Sequence, residues 1–203
     1  MATLNSKALI SLYELADFID GDHSSTSKVV QNSGSYASAI NQASSTFEFL
    51  TGRTFMSGSL AIEYFQGNCY HEYYLRQAPV ASRFVKLDYF TGNTGVWDNS
   101  ITSGSYEHTH DPITGRVYFI DGANFWRSSA LENNWRATYA YGYTTRSYVP
   151  QDIKYAVCVM TQRIYERNFT QGKNQINIGG QSYSYPQQWP EDVQEIIYRY
   201  IRY

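Results

Sequence analysis

The residues whose side chains could bind a metal ion lie in two short groups. Cys69 and His71 form the first group, and His108, His110 and Asp111 form the second. Zinc accepts thiolate, imidazole and carboxylate ligands, and a His-x-His pair in a strand places both rings on one face. No second pair at ligand spacing accompanies it, so solvated or hydrogen-bonded histidines are the favoured interpretation. We predict no metal site.

The patterns that normally carry nucleophilic, phosphate-binding or acid–base chemistry are missing from the sequence. There is no Gly-x-Ser-x-Gly elbow, and Cys158 falls on the apolar face of a predicted helix, where a thiol is inert. The glycines between 172 and 180 lack the Lys-Ser/Thr of a phosphate loop. Glu191 and Asp192 are explained by the dipole at the start of a helix. We therefore predict a non-enzymatic protein with no catalytic residues and no cofactor.

Length and charge narrow the class of protein. The chain has 203 residues, enough for one sizeable core with an inserted subdomain. It carries 16 Lys+Arg against 18 Asp+Glu, a net charge of −2. A dedicated nucleic-acid binder normally has a basic patch, so tight binding of DNA is disfavoured. A protein that surrounds DNA without gripping it is compatible with this balance.

Aromatic residues are unusually frequent, with 20 Tyr, 10 Phe and 4 Trp. Tyrosine combines an apolar ring with a polar tip and is enriched where another chain covers a surface. Tyrosines on the strands of a β-rich domain explain the same count equally well. Both interpretations stay open on composition alone.

The sequence contains few features that indicate a cellular compartment. The two cysteines, Cys69 and Cys158, form no disulfide framework, which favours a reducing compartment. Residues 1–15 contain neither a long apolar run nor a small-residue cleavage site. We expect no signal peptide and no membrane span.

Two helices are predicted before residue 53. Ser11 and Glu14 have the spacing of a capping box, and Gly21 ends the short helix that follows. Residues 21–35 are polar and predict a loop or the start of a helix near 28–31. A second helix ends at Gly52. Its apolar stripe consists of Tyr36, Ile40, Ala43, Phe47 and Leu50.

Between 57 and 145 the pattern changes from helical to extended. Short alternating or aromatic runs are separated by turn signals, which is typical of an antiparallel sheet or small barrel-like sandwich. The predicted strands are 61–65, 70–75, 84–89, 94–97, 115–120 and 135–141.

The last of these strands leads into a long amphipathic helix. Pro150 is suited to the start of a helix, and Asp152 in the first turn meets the positive end of the helix dipole. We expect a helix at 152–169 that packs on the helix at 36–50. Its apolar positions are Ile153, Ala156, Val157, Met160 and Ile164.

The C-terminal segment is predicted to be an arm followed by a short helix. Residues 170–189 are rich in Gln, Asn, Gly, Ser and Tyr, which predicts a loop or extended arm with a turn at 177–180. A helix begins at Pro190. The aromatic and basic residues 198–203 could stack on nucleic-acid bases, but a protein interface is the favoured interpretation.

These elements define an α+β fold: a small helical bundle with an inserted antiparallel β domain and a C-terminal arm ending in a short helix. We expect an N-terminal helical part at 1–56 and the β domain at 57–145. The long helix at 146–169 completes the bundle, and 170–203 forms the arm and last helix.

Several short motifs occur in a defined order: FEFLTGR at 47–53, LRQAPV at 75–80, WRATYAYGY at 135–143, VPQDI at 149–153, IYERN at 164–168 and YRY at 198–200. Their order and spacing resemble the head–tail connector proteins of tailed bacteriophages, also called adaptor or head-completion proteins, with relatives in gene transfer agents. The resemblance covers about residues 8 to 203. A serine-rich stretch at 21–35 departs from it, because the family usually has a compact second helix there.

The resemblance implies a structural protein of the virion that assembles as a ring of about twelve subunits on the portal protein. Such a ring extends the DNA channel, through which DNA passes without sequence-specific binding. It also presents an attachment surface to the next connector or tail protein. Assembly would take place in the bacterial host cytoplasm, with no membrane partner. The expected portal-binding residues are Tyr183, Tyr185, Trp189, Val193, Ile196, Ile197, Tyr200, Ile201 and Tyr203.

Two alternatives remain. One is another virion component, such as a tail-completion or decoration protein, which its location in the particle would reveal. The other is a carbohydrate-binding or hydrolytic β domain that uses Trp97, Trp126, Trp135 and the clustered tyrosines.

Overall fold

The computed structural model describes residues 3–21, 27–56, 60–67, 72–77, 80–90, 97, 99–101, 109–111, 114–118, 134–169, 175–178, 181–184 and 189–201. The chain divides into two compact units, with the boundaries after Arg53 and after Thr145. The segments on either side of the second unit together form the first. Helices and antiparallel strands are both present, and the predicted α+β fold class is confirmed.

The first unit is built from helices. Both caps predicted for the first helix are present: the Ser11 hydroxyl accepts from the Glu14 amide at 3.2 Å, and Gly21 adopts a φ of 63°. Gly52 ends the third helix in the same left-handed conformation, with a φ of 65°. The helices are α1 (Leu12–Asp20), α2 (Lys28–Gln31), α3 (Ser33–Thr51), α4 (Gln151–Phe169) and α5 (Glu191–Tyr200).

Helices α3 and α4 pack on each other, as their apolar stripes predict. The rings of Tyr36 and Tyr165 stack with their centroids 3.9 Å apart. Burial, followed by the neighbouring Tyr165, raises the pKa of Tyr36 to about 12, so its hydroxyl stays protonated at neutral pH. The fully buried side chains of this interface include Ile40, Ala43, Phe47, Ile153, Ala156, Val157 and Met160.

The second unit contains two antiparallel sheets. A four-stranded sheet has the order β1–β7–β3–β4, and a three-stranded sheet has the order β2–β6–β5. The strands are β1 (Leu60–Phe65), β2 (Glu72–Tyr74), β3 (Val80–Tyr89), β4 (Asn99–Ile101), β5 (Thr109–Asp111), β6 (Arg116–Tyr118) and β7 (Trp135–Tyr141).

Strand β7 is central because it pairs with β1 on one side and with β3 on the other. Its alternation buries Trp135, Ala137 and Tyr139 on one face, as the period-two pattern predicts. Phe65, Leu75, Leu87 and Val117 complete this core.

Two carboxylates are buried among the described residues of the second unit, and each is paired. Glu63 accepts hydrogen bonds from the Tyr139 hydroxyl at 2.9 Å and from the Arg76 amide at 2.7 Å. Asp88 accepts from Arg136 at 2.6 Å and pairs with Lys86 at 3.0 Å. Buried carboxylates require such partners, so these contacts hold neighbouring segments in register.

The structure differs from the predicted strands in several places. Of the predicted strand 70–75 the structure describes residues 72–75, and β2 ends one residue early, at Tyr74. Strands β4 and β5 lie in segments where no strand was predicted. Of the predicted strand 94–97 only Trp97 is described, and it lies outside a strand. These elements are short, so pairing stabilises them more than their own composition does: β4 pairs with the long strand β3, and β2 and β5 pair on either side of β6.

The arm also differs from prediction. Strands β8 (Gln175–Ile178) and β9 (Gln181–Ser184) pair as an antiparallel hairpin where a loop or extended arm was expected. Two glycines separate the strands, and Gly-Gly is a typical two-residue hairpin connection. The high content of Gln, Asn and Ser in this segment favoured the prediction of a loop over that of a hairpin.

Candidate partner-binding segment

Helix α5 carries four of the nine residues predicted to bind a partner, and one side of it is buried within the chain's own helical unit. Val193, Ile196 and Ile197 are buried, and α5 packs against α3 and α4. In the folded chain these side chains therefore fix the helix in place and are not accessible to a partner.

The remaining predicted residues are spread over the arm and the helix end. Trp189 is half-buried, and its carbonyl accepts from the Gln194 amide group at 2.7 Å. Ile201 is half-buried and follows the last turn of α5. Tyr183 lies in β9, opposite Ile176. Tyr185 and Tyr203 lie outside the described residues.

The C-terminal end of α5 is held by the first turn of α4. Asp152 accepts from Arg199 at 3.1 Å and from the Tyr200 hydroxyl at 3.1 Å, and it also accepts from the Ile153 amide at 2.9 Å. The sequence suggested only a helix-dipole role for Asp152. Its second role depends on a helix 47 residues away in the chain, which no local pattern could indicate.

The N-terminal end of α5 is held by a tyrosine of α4. The Tyr155 hydroxyl donates to Asp192 at 2.6 Å. This hydrogen bond lowers the pKa of Asp192 and raises the pKa of Tyr155. The ring of Phe18 from α1 meets that of Tyr155 edge-on at 5.8 Å. Polar contacts thus fix both ends of α5, while its apolar side packs between them.

The outward side of α5 is the surface that remains for a partner. Glu191, Glu195 and Tyr198 are exposed, Tyr198 to 62%. Spacings of four and three residues place them on one face of the helix. Two carboxylates and a tyrosine can bind a surface that offers cations and an apolar contact.

A cleft of about 330 Å³ lies between α1 and α4. Burial raises the pKa of Cys158 in its wall to about 12, so the thiol remains protonated and is a poor nucleophile, as predicted. Burial also opposes ionisation of Glu14, but hydrogen bonds from Lys154 and Ser11 outweigh it and lower its pKa. Lys154 contacts Glu14 at 2.7 Å, so the cleft's opposite charges are paired with each other.

The histidines considered for metal binding are only partly described. His110 and Asp111 lie in β5. Cys69, His71 and His108 lie outside the described residues. Within the part of the chain that the structure describes, no group of His, Cys, Asp and Glu is arranged to hold a metal ion.

Two of the three tryptophans considered for sugar binding are described, and both make contacts within the chain. Trp135 is buried in the core of the second unit. The ring of Trp97 lies 4.7 Å from the Arg136 guanidinium and 5.8 Å from the ring of Tyr64. Trp126 lies outside the described residues. None of the described helices is both long and apolar enough to cross a membrane.

Comparisons with known proteins bear on the fold of the whole chain. No protein-family profile matches the sequence, and no curated protein matches it significantly. Among solved structures, a chain in the neck of an empty GTA particle computed with C6 symmetry matches with a TM-score of 0.56 at 14% identity, covering 99% of this chain and 93% of that one.

Two further structures give the same result. A chain in the neck of a native GTA particle computed with C12 symmetry has a TM-score of 0.54 at 16% identity, covering 99% of this chain and 92% of that one. A chain in the virion of a native gene transfer agent particle has a TM-score of 0.55 at 16% identity, with 99% and 93% coverage. The resemblance to connector proteins is confirmed at the level of the fold, over nearly the full length.

Proposed function

We propose that this chain is a structural component of the neck of a tailed phage-like particle, and more specifically a head–tail connector adaptor. The observation that carries the proposal is the shared fold, because 99% of the chain matches chains from the neck and virion of gene transfer agent particles. Because the match covers both compact units, the proposal applies to the described chain as a whole.

The adaptor would act by assembly. Copies of the chain form a ring, with one side on the portal protein and the other offered to the next connector or tail protein. Symmetric rings are built from one repeated contact, and two of the matching neck structures were computed with C6 and C12 symmetry. A ring on a dodecameric portal would contain about twelve copies.

The near-neutral net charge of the chain is compatible with a channel through which DNA leaves the particle. A net charge of −2 gives the chain no excess of cations with which to hold phosphates. Weak attraction favours passage, because every additional phosphate contact would slow the release of the genome. The lining of such a channel therefore needs no base-reading groups.

The C-terminal segment is the proposed portal-binding element. Its outward face, formed by Glu191, Glu195 and Tyr198, is accessible, whereas Val193, Ile196 and Ile197 act by holding α5 in position. The hairpin β8–β9 extends this segment with strands that pair with each other. We expect the portal to offer basic and apolar side chains to this face.

Immunogold labelling of purified particles tests the location. Antibodies against this chain should place gold at the head–tail junction. Gold over the capsid shell or at the far end of the tail would contradict the adaptor assignment and favour a decoration or tail-completion protein.

A further inference from the structure

We infer that the outward face of β1 is the contact through which one copy of this chain binds the next. The inference rests on the proposed ring, and it identifies a surface of the β unit as the ring's subunit interface. The surface, here called the β1 stripe, consists of Leu60, Ile62 and Tyr64.

The two faces of strand β1 differ in how far they are buried. Its inward residues include Glu63 and Phe65, which are buried in the core of the second unit. Its outward residues remain exposed: Leu60 to 58%, Ile62 to 59% and Tyr64 to 47%. A strand with one face in water normally alternates apolar with polar residues, so three large apolar residues on the outer face indicate a surface that is covered in the assembled state.

The position of β1 strengthens this indication. It is the end strand of its sheet, and among the described strands it pairs with β7 alone. Exposed edges are usually protected by charged residues, proline or bulges. Strand β1 carries one inward-pointing charge, Glu63, but its outward face, the β1 stripe, contains no charged residue and no proline. The outward side of this edge is therefore suited to receive another chain.

The described cations beside the stripe are already engaged, which disfavours a polyanion as the natural occupant. Arg136, which pairs with Tyr64 across the strands, donates two hydrogen bonds to Asp88 at 2.9 and 2.6 Å. Lys86 contacts the same carboxylate at 3.0 Å. With these cations engaged by Asp88, the β1 stripe matches an apolar protein surface better than a phosphate backbone.

The sheet topology favours a second copy of this chain over an unrelated protein. Adjacent strands are antiparallel throughout β1–β7–β3–β4, so the two edge strands run in opposite directions. If β4 of a second copy lies beside β1, the sheet continues in antiparallel order. Such a contact joins two different surfaces, head to tail, which is the type of contact that closes into rings.

The size of the stripe suits a repeated contact. A stable pairwise interface buries about 800 Å² on each partner, and three half-exposed side chains supply only the centre of such a patch. Two free copies would therefore bind weakly. A ring on a template adds a second contact for each copy and raises the local concentration, so assembly is strong only there.

Site-specific photo-crosslinking tests this contact. Benzoylphenylalanine replaces Ile62 in the full chain, which is then mixed with the portal ring and irradiated. A matched chain carries the same group at Ser45 of α3, an exposed polar position in the other unit. We expect adducts of two, three and more copies from position 62 and monomers from position 45.

Other outcomes overturn the inference. Monomers from position 62 in rings visible by microscopy would refute the β1 contact and leave the adaptor function standing. Adducts of position 62 with the portal alone would do the same. If no ring forms on the portal, the proposed function fails. The concentrated free chain then decides the inference, since a ladder from position 62 supports it and monomers refute it.

Discussion

Helix α5 and strand β1 both carry apolar residues that a sequence pattern could assign to a partner, and folding treats them oppositely. Val193, Ile196 and Ile197 of α5 are buried against the chain's own helices. Leu60, Ile62 and Tyr64 of β1 remain exposed. An apolar face alone is thus no evidence for a partner, and the faces left open after folding are the ones to test.

The largest expected effect is on the buried face of α5. Val193→Asp places a carboxylate in a fully buried position, and we expect a loss of roughly 3 kcal/mol or more in the free energy of unfolding. Urea unfolding followed by circular dichroism measures it. Unchanged unfolding would mean that α5 is not packed as described, and the contrast with β1 would disappear.

A smaller loss of stability is expected inside the second unit. Tyr139→Phe removes the hydroxyl that donates to Glu63 at 2.9 Å and accepts from the Gln77 amide at 3.0 Å. Glu63 keeps its hydrogen bond from the Arg76 amide, and the loss of the two bonds of the Tyr139 hydroxyl costs about 1–2 kcal/mol. The melting temperature should fall, whereas Tyr148→Phe at an exposed tyrosine serves as the control without effect.

A pH-dependent effect is expected in the helical unit. The folded-state pKa of Glu14 is lowered, so its contribution to stability is present above the unfolded-state pKa and is lost as the pH falls through the folded-state pKa. Glu14→Gln keeps a capping-box residue but removes the charge opposite Lys154. The variant should lose less stability than the wild type between neutral pH and about pH 3. Parallel curves would contradict this role.

The smallest effect on folding should accompany the largest effect on assembly. Ile62→Asp and Tyr198→Asp change exposed residues, so each should alter the free energy of unfolding by less than about 0.5 kcal/mol. Ile62→Asp should prevent contacts between copies, and Tyr198→Asp should weaken binding to the portal at least about tenfold, the equivalent of 1.4 kcal/mol.

Sedimentation velocity of the concentrated chain, in which weak contacts between copies are populated, measures the first effect, and co-sedimentation with portal rings measures the second. Ser45→Asp provides an exposed control that adds the same charge at a polar position of α3. Equal losses for all three variants would point to a general effect of charge and would remove the distinction between the two surfaces.

Local sequence signals were sufficient to predict the ends of several helices. The Ser11–Glu14 capping box, the glycines after α1 and α3 and the spacing of apolar residues correctly predicted where these helices begin or end. Each of these signals acts within a few residues, so a linear sequence displays it fully.

Signals that depend on distant partners could not be read in this way. The burial of Val193 and Ile197 requires α3 and α4, and the contact of Asp152 with Arg199 spans 47 residues. Residues 99–101 form strand β4 because they pair with β3. Periodicity reports that a face is apolar, but only the tertiary structure decides which surface covers it.

Cryo-electron microscopy of the purified chain mixed with the portal ring from the same particle shows whether this chain forms a connector ring on a portal. We predict added density stacked as a ring on one end of the portal, with the C-terminal segment against the portal and β1 between neighbouring copies. Bare portals beside free protein would refute the connector ring.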